Sequence, residues 1–316
     1  MPRPKTTRTT APQPTPKAAS TPETVDPIWI LKALGFTIVA ALVCGYLTLC
    51  LLFYQGQWQL ILHPQRSNSP LDTLGGLPAE PVHFDAAETG SPRLSGAYLA
   101  AAPNSKYAGY TVLYLRSGDA SLSQSAPDAG NLAVLHGLGL SIFAFDYRGY
   151  GQSDPTHPNQ IRMLEDAHAA LLWTENSRHV PADHLILFGH GLGASLAVQL
   201  ASSDPKIPAL ILDSLGPDPI GTAMADPRTR ALPVRALFHE DFPLGGLSGL
   251  RTPKLLISYP TPSSPIPPTY KTAADPKTTL ELVSNDPGSL PQGIARFLDQ
   301  SLAQAPSSLT APQQSR

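Results

Sequence analysis

Residues 185–202 read LILFGHGLGASLAVQLAS. Four apolar residues, bulky enough for a buried strand, run straight into Gly189-His190-Gly191-Leu192-Gly193. The small and apolar residues that follow return at helical spacing. A strand that becomes a helix within five residues needs a sharp turn, and small residues where the two elements pass close together. Gly189 and Gly193 supply the close approach, with Gly191 at the apex. This is the layout of a nucleophile elbow, G-x-S-x-G, in which the turn lifts a nucleophile above the edge of a sheet. The position of that nucleophile is Gly191.

The surroundings have the same character. Short apolar runs at 111–115 (TVLYL), 141–146 (SIFAFD), 209–213 (ALILD) and 254–258 (KLLIS) lack a polar alternation, as strands covered on both faces must. Further strands are expected at 81–85, 95–100 and 279–283. Helical patterns at 161–177 and 192–202 alternate with them. Two antiparallel strands followed by repeated β-α units predict an α/β fold with a mostly parallel central sheet and helices on both faces.

Upstream, ALGFTIVAALVCGYLTLCLLF (33–53) contains no formal charge over 21 residues. A helix of that length reaches about 31 Å, enough for a bilayer core of about 30 Å. It is longer than the apolar region of a cleaved signal peptide, about 7–15 residues. The expectation is an uncleaved signal anchor at 28–54, with Tyr54 and Trp58 near the interface. Residues 1–32 carry Arg3, Lys5, Arg8, Lys17 and Lys32 against Glu23 and Asp26, a net +3. The far flank has only Arg66 before the body, so the N-terminus is expected in the cytoplasm and the body on the extracytoplasmic side, periplasmic in a bacterium. Segments 1–27, rich in Pro, Thr and Ala, and 304–316 lack periodic apolar residues and are expected to be disordered. The remaining 55–303 is one domain.

A net charge of −2 over 316 residues, with −5 outside the basic leader, disfavours a nucleic-acid partner. Both cysteines, Cys44 and Cys50, lie in the apolar stretch, leaving the body no thiol nucleophile, disulfide framework or Cys-based metal site. His157, His168, His179 and His184 show no metal-ligand spacing, and the Gly-rich runs lack the Lys-Ser/Thr of a phosphate loop. No cofactor or metal is expected.

With FAFDYRGYGQSD at 143–154 beside the elbow, the chain resembles the alpha/beta-hydrolase superfamily, and most of all its membrane-anchored serine-aminopeptidase or monoacylglycerol-lipase-like members. LILHP (60–64), GLPAEPVHF (76–84) and LEDAHAAL (164–171) agree in order and spacing, so the resemblance covers about 60–302. It implies serine-hydrolase chemistry, which needs a nucleophile, a histidine base, a carboxylate and oxyanion donors. This chain departs from the pattern at each. The nucleophile position is Gly191. The histidine position after the last strand reads Ser284-Asn285-Asp286, and the last histidine of the chain is His239. The acid loop holds no Asp or Glu from Lys254 to Ala274, a Pro-rich turn at 259–268 taking its place. The oxyanion loop after TVLYL reads Arg116-Ser117-Gly118-Asp119 instead of His-Gly.

Loss of one member of such a triad costs about 10⁴–10⁶ in turnover. The chain is therefore expected to be a pseudo-hydrolase, a single-pass membrane protein acting as a binding, scaffold or sensor module on an unidentified small-molecule or protein ligand. The alternative is a membrane-anchored esterase, lipase or peptidase with a relocated nucleophile, Ser195 or Ser214. The Leu192 N–H survives as an oxyanion donor, and Arg116 beside it is a candidate for binding an anion or carboxylate. Ser195 one turn into the helix, His190 beside the elbow, Asp146 with Arg148 and Ser153, and the Asp213-Ser214 pair each also have a structural reading as packing or loop residues.

Overall fold

The structure, a computed structural model, describes residues 26–87, 89–124, 126–216, 218–260, 267–282 and 288–303. The expected tails lie almost wholly outside the described residues, as do Ser284, Asn285, Asp286 and residues 261–266 of the Pro-rich turn. Two units meet between Leu49 and Cys50.

The first unit is helix. α1 (Pro27–Gly56) begins with Asp26, whose carboxylate accepts the Ile28 N–H at 2.9 Å, and with Pro27 at the first helical position. The hydroxyls of Thr37 and Thr48 donate to Ala33 O and Cys44 O at 2.8 Å, so neither presents an unpaired group along the shaft. No residue of the helix is buried. It is long and apolar enough to cross a membrane, and it extends two residues, Gln55 and Gly56, beyond the expected end at 54.

The second unit takes the last turns of α1, from Cys50, and continues in a 3₁₀ turn, Gln57–Leu60. A two-stranded hairpin follows, β1 (Thr73–Leu74) and β2 (Leu77–Pro78), joined by Gly75-Gly76. Then come β3 (Glu80–Asp85), β4 (Arg93–Leu99), β5 (Thr111–Leu115), α2 (Ala126–Gly137), β6 (Ser141–Asp146), α3 (Gln160–Ser177), β7 (Leu185–His190), α4 (Gly193–Ser203) and β8 (Ala209–Asp213). The chain ends with α5 (Pro219–Ala225), α6 (Val234–Leu237), β9 (Lys254–Ser258), α7 (Pro268–Thr272), β10 (Lys277–Glu281) and α8 (Ser289–Ala303). The main sheet has eight strands in the order β10-β9-β8-β7-β5-β6-β4-β3. β3 and β4 pair antiparallel, β4 joins β6 antiparallel, and every other pairing is parallel.

The apolar runs fill both faces, as their lack of alternation requires. Leu113, Phe143, Leu187, Leu210 and Leu256 face α3 and α4, while Val112, Ile142, Ile186, Ile211 and Leu255 face α2 and α8. Expected and observed strands coincide at β5, β6, β8 and β9. At the edge, β10 begins two residues before the expected 279. It pairs with β9 from Lys277↔Lys254, and its exposed, polar pattern carries no apolar signal to mark where it starts. The β1–β2 hairpin was missed, although Gly-Gly between Leu74 and Leu77 is a hairpin signal.

Candidate functional site at the carboxyl edge of the sheet

In parallel α/β sheets, ligands bind beyond the carboxyl ends of the strands, where the order reverses. Here β5 and β7 are neighbours while the chain between them runs out through β6, and the elbow stands at that point. Gly191 has φ +56°, a left-handed conformation that costs an L-residue about 1–2 kcal/mol. Its N–H donates to Asp213 O at 3.1 Å, tying the turn to β8. The Gly191 and Leu192 carbonyls accept the first N–H groups of α4, from Ala194 at 3.2 Å and Ser195 at 3.1 Å. Among the described residues the Leu192 N–H has no hydrogen-bond partner.

The space above Gly191 is taken from the opposite side. A Cβ at 191 would lie 2.7 Å from Ser117 Oγ and 2.9 Å from Ser117 Cβ. Ser117, two residues past the end of β5, therefore puts its hydroxyl where the elbow side chain would begin. Behind the turn, a Cβ on Gly216 would come within 3.3 Å of Leu192 N, so residues 214–216 wrap closely around the elbow.

His190 and Asp213 are register partners on β7 and β8, so their side chains leave the sheet on one face. The imidazole Nδ1 meets Asp213 Oδ2 at 2.9 Å. Burial pulls the imidazole pKa down, but the hydrogen bond and charge of Asp213 outweigh it and hold the group above its usual value. Asp213 also accepts the Asn131 amide of α2 at 2.7 Å and the Ser214 hydroxyl at 3.2 Å. Tyr259 leans on the same carboxylate. Burial, Asp213's charge and a hydrogen bond to it push the phenol up to about 12. Ser214 holds φ +46°, a strained conformation for a residue with a Cβ. With Leu215, Ser258, Tyr259, Pro267 and Tyr270 it lines a cleft of about 230 Å³.

From Asp213 the polar contacts run inward. Asn131 reaches the Tyr114 hydroxyl at 3.4 Å, and Tyr114 donates to Asp128 at 2.8 Å. Arg116 Nε donates to Asp128 at 2.7 Å and its Nη1 to Asp146 at 3.2 Å. Asp146 also accepts the Leu122 N–H at 2.7 Å. This corrects the reading of Arg116 as a ligand-facing cation: it is 1% exposed and neutralises two buried carboxylates below the loop. Asp146 is buried with it. Desolvation outweighs the arginine and raises its carboxyl to about 6. Arg148 is likewise absorbed, its guanidinium and N–H bound to Asp166. Ser153 accepts the Ser95 N–H at 2.9 Å, which stitches the 146–154 loop to β4.

Ser195 is also corrected as a candidate nucleophile. It is 2% exposed, its hydroxyl donates to Pro243 O at 2.9 Å, and Gln199 donates to it at 3.1 Å. One helical turn past the elbow carries it under the sheet edge instead of over it. Ser214 does reach the site, but its hydroxyl is bound to the Asp213 carboxylate and not to an imidazole. The structure thus gathers Gly191, Leu192 and Ser214 at one edge, and leaves Arg116 and Ser195 out. Sequence reasoning missed Ser117, Asn131 and Tyr259. Ser117 could have been found, since it lies two residues past the β5 run in the oxyanion-loop position; Asn131 and Tyr259 carry no sequence signal for meeting Asp213.

The model of the alpha/beta hydrolase fold matches residues 123–241. Over 129 residues the chain is 37% identical to an uncharacterized protein of Mycobacterium tuberculosis, covering 40% of this chain and 44% of that protein. It is 31% identical over 96 residues to alpha/beta hydrolase domain-containing protein WAV2 of Arabidopsis thaliana, 28% of this chain and 31% of the relative. With alpha/beta hydrolase domain-containing protein 17B of Xenopus tropicalis it shares 28% identity over 171 residues, 52% and 53% of the two chains. The match thus spans less than half the length of the first two relatives. Among solved structures, the Pyrococcus furiosus esterase Pf2001 superposes with a TM-score of 0.56 at 17% identity, over 77% of this chain and 98% of the esterase, a likeness of fold. Matched in sequence across the elbow and its flanks, and in architecture over most of the body, the chain has the alpha/beta-hydrolase fold and is similar to proteins of that superfamily.

Proposed function

We propose that this protein is a membrane-anchored pseudo-hydrolase, a single-pass protein whose alpha/beta-hydrolase domain binds a ligand or partner at the old catalytic edge without turning it over. The observation that carries the reading is at the elbow. Position 191 has no side chain, and the space where one would begin is filled by Ser117. An acyl-enzyme needs a nucleophile on that turn, with an imidazole in reach and an oxyanion donor behind it. Of these, the Leu192 N–H alone remains in its place. The apolar helix Pro27–Gly56 supports the anchor. The excess of Lys and Arg before it supports a cytoplasmic N-terminus and a body on the extracytoplasmic side.

A second reading is favoured by the His190–Asp213 contact. A carboxylate on Nδ1 orients an imidazole and leaves Nε2 as a base, and two hydroxyls, Ser117 and Ser214, stand nearby. In this reading the protein is a membrane-anchored serine hydrolase with a relocated nucleophile. Labelling of the full chain in detergent with a fluorophosphonate separates the two, beside the Ser117→Ala, Ser195→Ala and Ser214→Ala variants. No label on any form is the expected result. Label on the wild type that disappears in one variant would overturn the pseudo-hydrolase and identify the nucleophile.

A further inference from the structure

The cleft of about 230 Å³ at the carboxyl ends of β8 and β9 has an apolar body made by Leu215, Ile257, Pro260 and Pro267 and the rings of Tyr259 and Tyr270. The Tyr270 hydroxyl is closed to a ligand, because it donates to Ile257 O at 2.8 Å and accepts the Leu215 N–H. Two further hydroxyls of the wall share one acceptor. Ser214 donates to Asp213 Oδ1 at 3.2 Å, and Tyr259 hydrogen-bonds the same carboxylate. Each hydroxyl carries a single proton. With that proton spent on Asp213, Ser214 and Tyr259 offer a ligand lone pairs alone. Asp213 takes His190 at 2.9 Å and Asn131 at 2.7 Å as well, and four donors fill the acceptor sites of a carboxylate.

Ser258 is in a different state. It lines the same cleft, is 6% exposed, and its hydroxyl has no hydrogen-bond partner among the described residues. A buried hydroxyl left so costs about 1–3 kcal/mol. Its proton is uncommitted, and χ1 gives it three staggered positions to turn among. The wall of the cleft therefore holds two hydroxyls that can only accept and one that is free to donate, set in an aromatic and proline-lined surface. Ser214 also keeps φ +46°, and backbone strain of that kind gathers where ligands are held.

We propose that this cleft binds a small neutral alcohol, its apolar, ring-bearing body against the tyrosines and prolines, its hydroxyl donating to Ser214 or Tyr259 and accepting from Ser258. The inference rests on the reading that this edge of the sheet binds a ligand, and it supplies the ligand's class. An alcohol is the head group that fits, because one oxygen both donates and accepts. An ether or a ketone has no proton for Ser214 and Tyr259. A carboxylate has none either, and it would set a second negative charge beside Asp213. An ammonium donates but has no lone pair for Ser258.

The test uses the full chain in detergent and a photoreactive probe, benzyl alcohol carrying a trifluoromethyl-diazirine on its ring, beside the methyl ether and the benzoate built on the same ring. Crosslinked residues are mapped by mass spectrometry, so that probe in the cleft is read apart from probe in the micelle. The expected result is crosslinking of the alcohol to segments 214–215, 257–260 and 267–270, about tenfold less from the ether, and none above background from the benzoate. Ser258→Ala, and separately Ser214→Ala with Tyr259→Phe, should each cut labelling by the alcohol about threefold or more and leave that by the ether unchanged. Thermal unfolding shows that each variant is folded. Where one is not, unlabelled benzyl alcohol and benzyl methyl ether, run as competitors on the wild type, read the same preference. Equal labelling by alcohol and ether, a preference for the benzoate, or labelling by the alcohol that survives both sets of substitutions would overturn the proposal. Fluorophosphonate tests the underlying reading separately. A chain that fluorophosphonate does not label and that shows no preference for the alcohol keeps the pseudo-hydrolase and loses this ligand; a chain labelled by fluorophosphonate and still selective for the alcohol loses the pseudo-hydrolase and keeps the ligand.

Discussion

Ser117 Oγ lies 2.7 Å from the point where a Cβ on Gly191 would be, so the loop after β5 and the elbow after β7 have closed over each other. A serine does not fit at position 191 unless Ser117 moves, and it must also adopt φ +56°.

Gly191→Ser is expected to lower stability by about 1–3 kcal/mol and to remain unlabelled by fluorophosphonate. Thermal unfolding in detergent reads the first effect. Ser117→Gly added to Gly191→Ser should recover the part due to the clash and leave the part due to the backbone. Full wild-type stability in the single variant would contradict the contact described.

The His190–Asp213 pair gives a pH-dependent term. Because the imidazole pKa is raised in the folded state, its contribution is fully present below about pH 6.5, the unfolded value. It is lost as the pH rises through the folded value. His190→Gln should therefore cost roughly 1–2 kcal/mol at pH 6 and distinctly less at pH 9. Melting temperatures of the two proteins across that range check it, and a penalty independent of pH would show that folding leaves the imidazole pKa unshifted.

Arg116 is the cation on which the interior of the site depends. Arg116→Met would leave Asp128 and Asp146 buried without their counter-charge, a loss of about 3–5 kcal/mol. Denaturant titration should show the midpoint falling accordingly. If the midpoint hardly moved, the arginine would be solvated and free to meet a ligand after all.

Asp146 behaves in the opposite sense to a usual surface carboxylate. Its folded pKa of about 6 stands above the usual aspartate value of about 3.9, so ionisation costs stability as the pH rises from about 4 to about 6. Asp146→Asn does not titrate. The stability of the wild type relative to this variant should fall over that interval by an amount of order 2 kcal/mol. A flat difference curve would place the carboxylate in a better-solvated state.

Much of the architecture was legible in the sequence because it follows from local chemistry. The runs TVLYL, SIFAFD, ALILD and KLLIS have no polar face, and only a sheet covered on both sides can hold them. The Gly-rich turn between LILF and ASLAVQLAS admits little except a strand that folds straight back into a helix. That the apex of this turn is Gly191 needed no coordinates. What was not legible were pairings across layers. Arg116 beside a cleft reads as a ligand-binding cation until Asp128, 12 residues on, and Asp146, 30 residues on, are brought around it. Whether Ser195 faces the cleft depends on which turn of α4 lies under Pro243, 48 residues away.

The sequence by itself determined the α/β layering, the apolar helix and the empty elbow, since backbone propensity, apolar periodicity and the lack of a side chain are properties of neighbouring residues. Tertiary structure alone decided which polar groups meet at the edge of the sheet: Ser117 over Gly191, His190 on Asp213, and Arg116 between two carboxylates. A charged or hydroxyl side chain has no preferred partner until burial removes water as the alternative, and which partner remains is set by how separate strands and helices come together.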